Sequence, residues 1–160
     1  MADQRSKTLP GTIIKAGLLA GALDISFALV QYYLKTGKDP ANVLRFVASG
    51  IFGKAAFAGG NTMALYGLLF HFAIAFTWTI LFFLLYPKIP FLKKNIIVTA
   101  VIYGLLVWLA MNRIVLPLSA APSLPFNIKQ ALIAMLILMI AIGLPLSILA
   151  KRYYSTVNAR

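Results

Sequence analysis

Residues 12–34 read TIIKAGLLAGALDISFALVQYYL, a run of 23 residues interrupted by only two charges, Lys15 and Asp24. Wound as a helix at about 1.5 Å per residue it is ~34 Å long, enough to cross a hydrocarbon layer roughly 30 Å thick. A carboxylate in the middle of such a helix is expensive to place in lipid, so Asp24 needs a partner or a task.

The rest of the chain repeats the pattern. Residues 62–86, 96–116 and 131–150 are also apolar and long enough to span. With a mean hydropathy of +0.89, 61% apolar residues and 11% charged over 160 residues, the composition lies outside that of soluble domains. The expected fold is an all-α, integral-membrane four-helix bundle forming one domain over residues 1–160. Arg5 and Lys7 precede the first run, and Ala20-Gly21-Ala22 within it has the small residues of a signal-peptide cleavage site. The apolar run continues to Leu34, however, so the segment reads as a retained anchor.

The net charge of +12 comes from 15 Lys and Arg against three acids. These bases gather at the ends of the apolar runs rather than in a tract, which makes membrane lipids, not nucleic acid, the expected partner. Arg5, Lys7, Lys15, Lys88, Lys93, Lys94, Lys151, Arg152 and Arg160 fall on one side of a four-span arrangement. Lys35, Lys38, Arg45, Lys54, Arg113 and Lys129 fall on the other. Nine against six predicts cytoplasmic termini.

Between the first two spans, residues 40–58 form an expected amphipathic helix. Asp39-Pro40 is a helix-start signal and Gly59-Gly60 a stop, with Asn42, Arg45 and Ser49 on one face. Such a helix either lies in the interface or re-enters the membrane. Pro87 and Pro90 make the second loop short, setting spans two and three side by side. Pro117, Pro122 and Pro125 keep the third loop extended, and Pro145 disturbs the fourth span.

Gly17, Gly21, Asp24, Ala28 and Gln31 share one face of the first span, and Gly17 and Gly21 make a GxxxG pattern that admits a close neighbour. In the second span Ala64, Gly67, His71, Ala75 and Trp78 repeat that arrangement. Tyr66-Gly67-Leu68-Leu69 is echoed by Tyr103-Gly104-Leu105-Leu106 in the third span. Gly17, Gly21, Gly67 and Gly104 are therefore the expected helix-packing residues. Asp24 is nine residues, roughly 14 Å, beyond Lys15, and His71 ten residues, roughly 15 Å, beyond Asn61, so both lie near the midplane.

A carboxylate and an imidazole meeting there form a site that can exchange a proton near neutral pH. Gln31, Tyr103, Asn112 and Arg113 are candidates to extend it. This pattern points to a proton-linked transporter or channel for an ion or small solute. The alternative is a scaffold in which the same polar pair only fixes helix packing. Two such ligands fall short of a metal site, no phosphate loop, HExxH or nucleophile elbow occurs, and no enzyme activity or cofactor is expected. The GxxxG face also allows a homo-oligomer.

The set Gly17-x-x-x-Gly21-x-x-Asp24, Ala48-Ser49-Gly50-x-x-Gly53, Gly59-Gly60, Gly67-x-x-x-His71-Phe72, Tyr103-Gly104, Met111-Asn112, Pro117-Leu118-Ser119, Pro125-Phe126 and Gly143-Leu144-Pro145 resembles a group of small, uncharacterised bacterial inner-membrane proteins. The resemblance implies a four-span protein of the bacterial inner membrane and supplies no activity.

Overall fold

The structure, a computed structural model, describes residues 8–158. Arg5, Lys7 and Arg160, which entered the charge count, lie outside them. The described residues are helical without strands, and four helices are long and apolar enough to cross a membrane. These are α1 (Leu9–Thr36), α3 (Gly60–Leu85), α4 (Ile96–Leu118) and α5 (Ile128–Val157), with α2 (Ala41–Phe52) between the first two. The chain therefore has the build of a multi-pass α-helical membrane protein.

Local chemistry sets the ends. The Thr8 hydroxyl accepts from the Gly11 N–H at 3.3 Å, and α1 stops at Gly37, whose φ of 64° lets its N–H turn back to the Tyr33 carbonyl. Asn95 caps α4 by accepting from Ile97 and Val98, and Asn127 caps α5 by accepting from Gln130. The fourth helix runs beyond the expected 131–150 at both ends, because this cap starts it earlier and Lys151, Arg152, Tyr153 and Tyr154 keep winding where headgroups would accept them.

Proline acts through the turn that precedes it. Before Pro117, residues Met111–Val115 form a widened turn in which the Leu116 N–H donates to the Met111 carbonyl. Before Pro145, Met139–Gly143 does the same, with Leu144 donating to Met139. Both are i→i+5 bulges, which absorb the lost N–H without ending the helix. So α4 continues through Pro117 to Leu118, past the point where the loop was expected to begin, and α5 passes Pro145 unbroken.

Helix α1 packs between α3 and α5, and α4 packs on α5. The closest backbone approaches occur at glycines. A Cβ on Gly104 would stand 2.6 Å from the Met139 Cα, and one on Gly143 would collide with the Ala100 carbonyl, so the widened turn of α5 lies directly on α4. Gly67 likewise receives the Leu44 carbonyl of α2. The two glycines of the Tyr-Gly-Leu-Leu echo thus each seat a neighbouring helix's backbone. Helices α3 and α4, expected side by side, meet through large side chains instead, with Phe82 and Tyr103 in edge contact at 4.6 Å. Around them Ala16, Ala20, Phe83, Ile142, Leu146 and Ala150 complete the core, near the end that carries both termini.

Helix α2 starts where Asp39-Pro40 signals it. The Asp39 carboxylate accepts from the Ala41 N–H at 3.0 Å. Gly53, with φ of 60°, ends it, and a short 3₁₀ segment, Gly53–Phe57, leads on to α3, dividing what was expected as one helix over 40–58. Arg45 fastens the unit by donating to Asp39 at 3.0 Å, to Asn42 at 2.8 Å and to the Gly60 carbonyl at 3.1 Å.

Candidate functional site

The contact between α1 and α3 alternates small against large. Gly17 lies under the ring of Phe76, and Gly21 under the ring of Phe72 and beside Ala75. One turn further along α1, Asp24 meets His71, with His71 Nδ1 4.0 Å from Asp24 Oδ2. The antiparallel packing that sets Gly21 against Phe72 leaves Asp24 facing His71. Both side chains are largely enclosed, at 20% and 12% exposure.

The hydrogen bonding of the imidazole fixes its protons. His71 Nε2 lies 2.9 Å from the Gly21 carbonyl oxygen, which can only accept, so Nε2 carries a hydrogen and donates it. In a neutral ring Nδ1 is then a lone pair, and it faces a carboxylate oxygen. With no further proton the two acceptors oppose one another. With one proton, either Asp24 donates to Nδ1 or a protonated Nδ1 donates to Asp24. One proton between them would turn this opposition into attraction. At 4.0 Å the pair is beyond direct hydrogen-bond range, and an approach of about 1 Å would close the bond.

The chain matches no protein-family model, no curated protein and no solved structure.

The other candidates are arranged differently. Gln31 is half-buried two turns along α1, about 10 Å from Asp24 by helical rise. The Tyr103 hydroxyl donates to the Trp78 carbonyl and its ring packs on Phe82, which ties α4 to α3 well away from His71. The Asn112 amide donates to the Trp108 carbonyl of its own helix at 2.9 Å, and both Asn112 and Arg113 are exposed. Among the described residues neither Asn112 nor Arg113 makes a hydrogen bond or ion pair to Asp24 or His71, and both stand on α4, which packs on α5.

Two backbone groups shape the site without being readable as residue types. The Gly21 carbonyl sets the tautomer of His71. The Leu44 carbonyl, lodged against Gly67 one turn before His71, brings α2 across α3 immediately beside the pair. The usable sequence signal was the recurrence of glycine three or four residues before each ionisable residue, since a missing Cβ exposes backbone to a neighbour.

Proposed function

We propose that the protein is a small proton-linked transporter or channel of the bacterial inner membrane, moving an ion or small solute, with Asp24 as the protonatable group and His71 as its partner. The observation that carries this reading is the opposition of Asp24 Oδ2 and His71 Nδ1 at 4.0 Å while Nε2 is committed to the Gly21 carbonyl. Gain or loss of the shared proton changes whether these atoms attract or repel, and they stand on different helices. Proton occupancy is thereby linked to the α1–α3 contact, the coupling a proton-driven carrier needs. The excess of bases at the termini's end supports cytoplasmic termini.

Proton and ion flux into liposomes tests the reading. Wild type should conduct, and Asp24→Asn, matched for folded protein, should not. Conduction undiminished by Asp24→Asn overturns it.

A second reading has its own support. The His71 bond to Gly21 joins α3 to α1, while Tyr103 and Asn112 direct their polar groups elsewhere. In a scaffold, Asp24→Asn and His71→Gln would lower thermal stability, and neither they nor the wild type would raise flux above that of empty liposomes. Pairing between copies was motivated by Gly17 and Gly21, which Phe76 and Phe72 cover within the chain. A second copy would have to use another face.

A further inference from the structure

The end of the molecule remote from the termini is built of two segments that the sequence separates widely. The Ala120 N–H in the α4–α5 loop donates to the Gly50 carbonyl near the end of α2 at 2.9 Å, joining that loop to α2 and its 3₁₀ extension. The joined surface is apolar where a water-facing loop would be polar. Ile51 and Phe57 on the α2 side are 63% and 42% exposed, and Leu124 and Phe126 on the loop are 69% and 70% exposed. Its height is fixed by α2, whose Leu44 rests on Gly67, seven residues and about 10 Å into the membrane-length helix α3.

Charge identifies what covers this surface. Lys54 and Lys129 are exposed at its edge, and no Asp or Glu follows Asp39 anywhere in the chain. Asp39, at the start of α2, is already paired with Arg45 at 3.0 Å, so a second copy seated face to face would oppose lysines with lysines. A phospholipid leaflet offers acyl chains to the apolar groups and phosphates to the amines, at the separation that lysine side chains span.

We infer that α2, its 3₁₀ extension and the α4–α5 loop form one platform immersed in the leaflet remote from the termini. Ile51, Phe57, Leu124 and Phe126 sit among acyl chains, and Lys54 and Lys129 at the phosphates. The loop is thus a lipid-binding element and not a soluble connection.

The absence of cysteine makes the test direct. Single variants Ile51→Cys, Leu124→Cys, Phe126→Cys, Lys54→Cys and Lys129→Cys are spin-labelled in vesicles of phosphatidylethanolamine and phosphatidylglycerol. Collision with oxygen is compared with collision with a water-soluble nickel chelate. The apolar positions are exposed, so labelling them leaves packing intact. The expected result is oxygen collision exceeding nickel collision several-fold at Ile51, Leu124 and Phe126, with Lys54 and Lys129 shallower. Nickel dominating at the three apolar positions places the platform in water, and low collision with both reagents places it under protein. Either result overturns the inference, as do lysine positions as deep as Phe126.

Discussion

A Cβ added at Gly67 would drive into the Leu44 carbonyl, whereas one added at Gly17 would meet the ring of Phe76 at 2.5 Å. A ring can turn and a helix backbone cannot. Gly67→Ala is therefore expected to cost about 1–3 kcal/mol, the usual range for overpacking, and Gly17→Ala less. Thermal unfolding of the purified variants measures this, and equal losses would remove the distinction between ring and backbone contact. Much of the Asp24–His71 pair was legible at this scale, because helical rise sets depth and small residues mark the facing sides. The Gly21 carbonyl was not, since a backbone acceptor has no letter of its own. Asn112 and Arg113 were candidates by depth, and depth does not tell which helices pack together: α4 packs on α5.

Among the elements, α4 and α5 are seated on one another twice, by Gly104 against Met139 and by Gly143 against Ala100. Either Gly104→Ala or Gly143→Ala should part the two helices, leaving the second substitution little more to disturb. The double variant is expected to be less destabilised than the sum of the singles, by a coupling of about 0.5–3 kcal/mol. Additive losses would mean that the two seats act independently. The start of α2 has a pH dependence of its own. The Ala41 N–H, and then the Arg45 guanidinium, hold the Asp39 carboxyl below the usual carboxylate range. A group whose folded value is lowered contributes stability above its unfolded value, about 3.9, and loses it as pH falls through the lower folded value. Hydrogen-exchange protection at the first turn of α2, corrected for the intrinsic fall of exchange with pH, should thus weaken on acidification in the wild type and change less in Asp39→Asn. The boundaries of α2 were half legible. Asp39-Pro40 announced its start, but the stop was expected at Gly59-Gly60 and comes at Gly53, because only the fold reveals that the φ of Gly53 is positive.

Across the whole molecule, packing is uneven. Phe82, Phe83, Tyr86 and Leu146 are nearly fully enclosed near the termini's end, where the Tyr154 hydroxyl also donates to the Phe83 carbonyl at 2.7 Å. The remote end buries only small residues, Ala48, Ser49 and Ala56, and adds the Arg45 hydrogen bonds, the Leu44 seat and the Ala120 bond. Amides of α2 and the α4–α5 loop should exchange before those of the α1–α3 core when the protein is held in nanodiscs, the order expected where few buried apolar contacts hold a segment. Tyr154→Phe should cost about 1 kcal/mol, the net value of one hydrogen bond, without altering that order. The four-span architecture was legible from apolar run length alone, whereas the order of helices around the bundle depends on glycine seats and widened turns that composition does not encode.

Synthesis meets the same arrangement as a problem of timing. A ribosome delivers α2 before Gly60, Gly67 and Ala120, the groups against which it comes to rest. When α1 first enters the bilayer, α2 has no place to dock, and its apolar face waits at the membrane surface until α3 arrives. The bond from Ala120 can form only after α4 has crossed, so the segment made second is among the last to be fastened.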